Sequence, residues 1–338
     1  MSATTYLADS PQAVLAALLA AGRRVVAPVE QAGMLAFAPL ASAEQARLDG
    51  QTRSSAKELT FPRSQRLFGY RFGNPGVELL PGEEPPAPTV LFGVRPCDAA
   101  GLAILDRVFG GEPADAPYLA RRAQVTVVGL SCSAPQAHCA CTAVGLSPTA
   151  TDGSDLLLTD TDGGTLVEVL TERGAELAAA LGDTLRPGSL DKAPATAAAE
   201  AQMTPRALPA DLPKALAAAF GDAAWAEAAA RCLGCGTCAF VCPTCHCFDV
   251  VDEANLHGGE RLRVWDACQF GLFTLHASGH NPRGDQAARY RQRALHKFSY
   301  YAQQHGRPMC VGCGRCVAAC PAGMDIFEVA TTAATQQG

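Results

Sequence analysis

Fifteen of the 338 residues are cysteines, and eight of them fall into two runs of one design. Cys232, Cys235, Cys238 and Cys242 are followed by Pro243, and Cys310, Cys313, Cys316 and Cys320 by Pro321. Three thiolates in steps of three on a tight loop reach three irons of one cubane, while the fourth, followed by proline, ligates the other cluster. The runs therefore predict two 4Fe-4S clusters, one on Cys232, Cys235, Cys238 and Cys320, the other on Cys310, Cys313, Cys316 and Cys242. Gly234, Gly236, Gly312 and Gly314 would let backbone amides turn toward the sulfides without a side-chain clash. Zinc ligands normally come as two pairs separated by a longer loop, which this pattern does not match.

Four further cysteines precede the runs, at 97, 132, 139 and 141. Cys97 follows a buried-type strand at 89–94, and Cys132 follows another at 124–130. A helix expected at 98–109 makes the strands a right-handed parallel pair, so both thiols emerge beyond the carboxyl ends, where open sheets bind their ligands. Cys139 and Cys141 lie in a proline-containing loop short enough to fold back over that crevice. A third Fe-S cluster is the leading expectation, with a four-thiolate zinc site or packed thiols as alternatives. Such a cluster would give electrons a way in or out far from the ferredoxin part. Cys245, Cys247 and Cys268 are left over. They are expected to be packed thiols beside the clusters, the alternatives being a further metal or a tuning role with His246 between them. Arg289, Arg293 and Lys297 form a helical basic stripe, expected as a solvated face, with docking to an acidic partner or offsetting of cluster charge as the alternative.

The elements that must position these residues are partly legible. A helix at 11–21, capped by Ser10 and closed by Gly22, is followed by strands at 24–29 and 34–38. The Pro and Gly content of 61–88 predicts mostly loop, with Phe61, Leu67, Phe68, Tyr70 and Phe72 anchored on a core. A hairpin at 155–159 and 165–170 and a helix at 172–181 close the first part. Helices are expected at 212–220, 223–231 and 285–304, the last with Tyr290, Ala294, Phe298 and Tyr301 on one stripe. The 67 residues between Cys242 and Cys310 exceed a minimal ferredoxin and imply a helical insertion. The fold class is thus α+β: an N-terminal α/β domain (1–183) with a parallel βαβ unit, a Pro/Ala-rich linker (184–210), and an α-helical two-cluster ferredoxin domain (211–338).

Composition narrows the function. Net charge is -6, divided as -7 over residues 1–200 and +1 beyond, which excludes a nucleic-acid binder by bulk electrostatics. The N-terminus lacks a secretory pattern and no apolar run approaches a membrane span, so a cytoplasmic protein is expected, where clustered cysteines bind metal rather than pair. Dinucleotide, phosphate-loop, nucleophile-elbow and zinc-protease motifs are all missing, and the seven histidines are scattered. The visible chemistry is one-electron transfer, so donor and acceptor sites would lie on other subunits and this chain would not itself be catalytic. An enzyme with substrate at the N-terminal sheet and a regulatory Fe-S sensor are the competing classes; the sensor would need a DNA-binding module, and none is visible.

These residues resemble the beta, electron-transfer subunit of soluble sulfhydrogenase-type NiFe-hydrogenases and the A subunit of anaerobic sulfite reductase. The resemblance runs through Lys57 to Leu67, Gly93 to Leu102, Val128 to Gly145, Asp155 to Val169, Cys232 to Phe248, Trp265 to Cys268, Gly279 to Arg283, Arg291 to Arg293 with His296 and Lys297, and Met309 to Pro321. It implies a complex in which a flavoprotein subunit exchanges electrons with NAD(P)H and this chain carries them to or from a catalytic subunit. Gly93 to Asp98 and Asp155 to Asp160 look closer to the hydrogenase branch, with a sulfite reductase complex as the alternative.

Overall fold

The computed structural model describes residues 4–335, so the outermost ends of the two expected domains, 1–3 and 336–338, lie outside the described residues. Apolar runs in the first half build an eight-stranded mixed sheet. Its strands are β1 (Thr4–Ala8), β2 (Val25–Gln31), β3 (Met34–Pro39), β6 (Thr89–Val94), β7 (Val125–Leu130), β8 (Leu156–Thr161), β9 (Gly164–Val169) and β10 (Arg186–Pro187). The spatial order is β10-β1-β9-β8-β7-β6-β2-β3. Neighbours from β2 through β6 and β7 to β8 run parallel, and the outer pairs are antiparallel. Strand β6 is buried along its whole length, as an inner parallel strand covered on both faces must be.

Helix α1 (Pro11–Ala20) starts as read, with Ser10 Oγ accepting from Ala13 N at 3.1 Å. Helices α2 (Pro96–Phe109) and α3 (Ala116–Ala123) make the crossover from β6 to β7, and α4 (Glu172–Ala180) follows the hairpin. Because α2 begins at Pro96, Cys97 sits in its first turn and not in a loop.

The stretch expected as loop at 61–88 forms a hairpin, β4 (Ser64–Gly73) and β5 (Gly76–Leu80), turning at Asn74-Pro75. Its partner is a second hairpin, β11 (Phe248–Asn255) and β12 (Gly258–Trp265), in the segment expected to be helical. β12 pairs with β4, giving a four-stranded sheet of order β11-β12-β4-β5. Local punctuation concealed it because the pairing joins residues nearly two hundred positions apart. Phe61 is the buried anchor there, stacked with Trp265 at 5.8 Å, whereas Phe72 is exposed.

The remaining chain is helical: α5 (Ala193–Glu200), α6 (Leu212–Ala218), α7 (Ala224–Ala228), α8 (Thr237–Phe240), α9 (Gln286–Leu295), α10 (Tyr301–His305), α11 (Arg315–Ala318) and α12 (Ile326–Thr335). A turn of π-helix at His296–Tyr300 joins α9 to α10, so the expected long helix is present with one wide turn in it. The stretch 184–210, expected as a linker, carries β10 and α5 and buries Ala199 and Met203. One apolar core runs from Ala100, Ile104, Ala140 and Val144 to Leu216, Trp225, Tyr290, Phe298 and Val329, so the two halves pack as one body.

Candidate metal centre

Cys232, Cys235, Cys238 and Cys320 line one cavity, with Cys316, Gln269, Tyr290, Arg293 and Met324 completing its wall. Gly234 and Gly236 turn the first loop at positive φ, 66° and 75°. A Cβ on Gly236 would meet the Phe270 ring at 2.5 Å, so the glycine is also required by packing. Gln286 Nε2 donates to Cys232 Sγ at 3.1 Å. Cys235 is exposed, so one thiol of this set reaches solvent.

The second thiol set is Cys310, Cys313, Cys316 and Cys242. Cys242 and Cys313 are buried, and Cys310 and Cys316 half-buried. Burial first, then Cys316 and Cys242, pushes the Cys310 thiol up to about 12; burial likewise raises Cys313 and Cys316, which both feel Cys242. Free thiols so placed stay protonated, and a metal that takes them as thiolates removes that penalty.

Three buried cations lie around the Cys242–Cys245 turn of this set. Arg293 Nη1 lies 3.3 Å from Cys245 Sγ, and its Nη2 donates to Cys238 O at 3.2 Å. Lys297, in the π-turn, donates to Thr244 Oγ1 at 2.5 Å, and Thr244 Oγ1 is 3.4 Å from Cys242 Sγ. Lys57 donates to Cys245 O at 2.8 Å and sits 4.1 Å over the Trp265 ring. Burial lowers Lys57 to about 8, whereas the Cys242 and Cys245 sulfurs outweigh burial and raise Lys297. The solvated face expected for the basic stripe is therefore a correction at two of its three positions: Arg293 and Lys297 are 3% and 2% exposed, turned inward toward sulfur. Arg289 is half-buried, donating to Gln286 Oε1, Arg283 O and Gly284 O.

Cys97, Cys132, Cys139 and Cys141 converge on another cavity, with Gln51, Arg95, Pro135, Met203, Gly312 and Cys313 around them. The α2 N-terminus brings Cys97, the end of β7 brings Cys132, and the loop beyond brings the other two. Burial raises all four thiols, Cys141 to about 12. This cavity adjoins the second run. Ala140 N donates to Gly312 O at 2.7 Å, and Gln51 Nε2 reaches both Cys313 O at 3.0 Å and Cys97 Sγ at 3.9 Å. A Cβ on Gly312 would meet Ala140 O at 2.3 Å, and one on Gly314 would meet His138 O at 2.5 Å. These glycines make room for the 138–141 loop, a role their position in the run did not reveal. The four N-terminal thiols thus lie against the ferredoxin runs and not far from them.

Arg315 fastens the junction. It grips Asp98 with two bonds of 3.0 and 2.6 Å and donates to Thr52 O at 2.7 Å, with Arg315 and Asp98 both buried. Arg95 holds the other rim of the N-terminal cavity through Ser131 O at 2.6 Å and Gly50 O at 3.2 Å. Sequence reasoning missed Lys57, Arg95 and Arg315 because a cation near sulfur carries no spacing signature.

Among the described residues, no group of three or more His, Cys, Asp or Glu side chains is placed to hold a metal ion. The thiols of Cys232, Cys235, Cys238 and Cys320 and those of Cys97, Cys132, Cys139 and Cys141 stand instead around cavities, as donors to a cluster must, since the irons occupy the space between them. The donor set fits, being all thiol, glycine-lined and partly shielded from water.

A fold of this kind with two such runs defines an iron-sulfur protein of the dicluster class, and a 4Fe-4S dicluster domain family matches residues 231–324. Sulfhydrogenase 2 subunit beta of Pyrococcus furiosus is 32% identical over 315 residues, which span 90% of this chain and 91% of that protein. The chain belongs to the sulfhydrogenase beta-subunit family; it is an iron-sulfur electron-transfer protein of the hydrogenase type. No described helix is long and apolar enough to cross a membrane.

Proposed function

We propose that this chain relays electrons through three 4Fe-4S clusters between a flavoprotein NAD(P)H-binding subunit and the catalytic subunit of a cytoplasmic NiFe-hydrogenase. The assigned ligands are Cys232, Cys235, Cys238 and Cys320; Cys310, Cys313, Cys316 and Cys242; and Cys97, Cys132, Cys139 and Cys141. The observation that carries the reading is contiguity. Cys313 belongs to the second set and lines the N-terminal cavity, and Cys316 belongs to the second set and lines the first-run cavity. Three adjoining thiol sites make a path that begins beyond the carboxyl ends of β6 and β7 and ends at exposed Cys235.

When bound, the clusters supply one-electron chemistry. This chain's residues hold them as thiolate donors, keep water from the inner set, and place Arg293, Lys297 and Lys57 where negative charge on sulfur accumulates. The sulfhydrogenase relative supports the hydrogenase branch over a sulfite reductase complex.

Iron and sulfide analysis of the full chain, prepared anaerobically, tests the reading. About twelve irons are expected. Cys97→Ser should lower the count by about four and remove one paramagnetic signal, leaving the two ferredoxin-type signals in place. A wild-type count of about eight, unchanged by Cys97→Ser, rejects the third cluster. Because the fourth ligand crosses over, Cys242→Ser should perturb the signal of the Cys310, Cys313 and Cys316 cluster more than that of its sequence neighbours.

A further inference from the structure

Leu233 stands between two thiols of the first run, lines their cavity and is 70% exposed. It thus leaves an apolar side chain in water beside exposed Cys235, where the proposed relay meets solvent. More apolar surface adjoins it. Gln269 and Phe270 pack on this run, since a Cβ at Gly234 would meet Gln269 O at 3.3 Å and one at Gly236 would meet the Phe270 ring. From that contact the chain continues as an irregular loop, 271–283, in which Leu272 is 78% exposed and Leu275 is exposed as well.

The loop is held by its own hydrogen bonds. Asn281 Nδ2 donates to Gly271 O at 2.7 Å, and Asn281 Oδ1 accepts from Thr274 Oγ1 at 2.8 Å and from Arg283 N at 3.0 Å. His276 N donates to His280 O at 2.9 Å and closes the tip. A face fixed before it meets a partner loses little freedom on binding.

Charge selects the partner. Segments 231–238 and 267–289 carry Arg231, Arg283 and Arg289 against one carboxylate, Asp285, whose Oδ1 is taken up capping α9 through Ala288 N at 2.7 Å. Among the described residues none of the three arginines forms an ion pair, and Glu227, one turn before Arg231, does not pair with it. The whole chain carries -6, so this positive balance is local. Exposed apolar side chains with unpaired arginines have the composition of a docking face, and their charge complements an acidic one.

We propose that Leu233, Leu272 and Leu275, with Arg231, Arg283 and Arg289, form the port at which this chain exchanges electrons with a redox protein whose docking face is acidic. The inference rests on the relay reading, because the first-run cluster is what makes the face a port. One electron crosses at a time: the reduced cluster loses it, the partner's centre gains it, and no bond or proton moves. The leucines exclude water from the contact, and the arginines steer and orient the partner.

The test uses the full chain, purified anaerobically with its iron, reduced, and mixed by stopped flow with cytochrome b5, an acidic haem protein, or with cytochrome c, a basic one. The second-order rate with cytochrome b5 should fall about tenfold from low salt to about 0.3 M. Arg231→Glu with Arg283→Glu should slow cytochrome b5 about tenfold at low salt and leave cytochrome c as fast or faster, a split that an altered cluster potential would not produce. Arg23→Glu with Arg24→Glu, the same change in net charge at exposed residues ahead of β2, should move neither rate by more than about twofold. Leu233→Asn should slow cytochrome b5 at unchanged iron content. If the glutamate pair loses iron, Arg231→Gln with Arg283→Gln and the salt response of the wild type decide. The port is overturned if the cytochrome b5 rate ignores salt, if the Arg231 and Arg283 variant slows both haem proteins alike, or if the Arg23 and Arg24 variant matches it. It is also overturned if Leu233→Asn lowers the sedimenting mass, which would make the face a contact between copies. Transfer to neither haem protein would overturn the relay and the port together, whereas transfer indifferent to salt and charge overturns the port alone.

Discussion

At the scale of single residues, the cations buried beside the second thiol set decide how easily an electron can be added there. Replacing Lys297 by methionine keeps the length of the side chain and removes a charge that Cys242 and Cys245 hold strongly protonated. Reduction adds negative charge, so the variant's cluster should be harder to reduce. For a one-electron couple a shift of about 59 mV is a tenfold change in equilibrium, and a fall on the order of that size is expected in a paramagnetic redox titration. Arg289→Met, at the half-buried position of the same stripe, should move the potential far less. The Arg315–Asp98 pair behaves differently. Removing the guanidinium with Arg315→Leu leaves the Asp98 carboxylate buried and unpaired, and breaking such a pair costs roughly 3–5 kcal/mol. A chemical denaturation midpoint well below wild type is the expected reading, and Asp98→Asn with Arg315→Leu together should recover part of it. His246 and His296 give the acid response. Burial lowers His246 to about 4 and His296 to about 3, with their rings 5.4 Å apart. Between pH 6.5 and 4 the unfolded chain binds protons that the folded chain refuses, so stability should fall as pH falls through that window. His296→Gln should shrink the difference in urea midpoint between pH 7 and pH 5.

At the scale of elements, the glycines of the second run make a test of how the N-terminal loop is seated. Gly312→Ala places a methyl against Ala140 O, whereas Gly22→Ala, also at positive φ, meets nothing within 4 Å. The Gly22 variant should show only the backbone cost, on the order of 1 kcal/mol. The Gly312 variant should lose more stability and also displace Cys139 and Cys141, which iron analysis of the two proteins would separate. What the sequence revealed at this scale follows a physical line. Helix α1, the β6-α2-β7 crossover and the β8–β9 hairpin were readable because their caps, runs and turns are local. The four-stranded sheet was not, because β4 acquires its partner only when Gly258–Trp265 arrives beside it, and the alternation in Ser64–Gly73 is broken by glycine and arginine. The cysteine runs were readable because their spacing is local; a dicluster domain family matches the segment that carries them. The inward turn of Arg293 and Lys297 was hidden, because a charge stripe on a helix reads the same whether it faces water or sulfur.

At the scale of the molecule, the shared core means that the ferredoxin part is not a module hung on a tether. Ala100 and Ile104 of α2 pack in one cluster with Leu216, Trp225 and Phe298, and Met203 reaches from the 184–210 stretch to the wall of the N-terminal cavity. Cleaving the chain near residue 206 should therefore yield fragments that unfold or lose iron, and the intact protein should melt in a single transition. Two separately folded, iron-retaining fragments after limited proteolysis would contradict this.

The outlying sheet leads to a statement about supply. Its two edge strands are β5 and β11, and Val77, Leu79, Val250 and, in the turn, Leu256 are exposed on them, Leu256 at 91%. On β5 the one charge, Glu78, is paired with Arg71, whereas β11 keeps Asp249 and Glu253 exposed and outside any ion pair among the described residues, so β5 is the edge with neutralised charge. Unpaired edges with apolar side chains and neutralised charge invite strand addition. Copies of this chain made in excess of whatever covers that sheet should accumulate as oligomers, so that the yield of usable protein is set by balanced synthesis and not by the rate at which the chain itself is produced. Sedimentation of the isolated chain should show mass rising with concentration, and Leu79→Lys should hold it at the single-chain value.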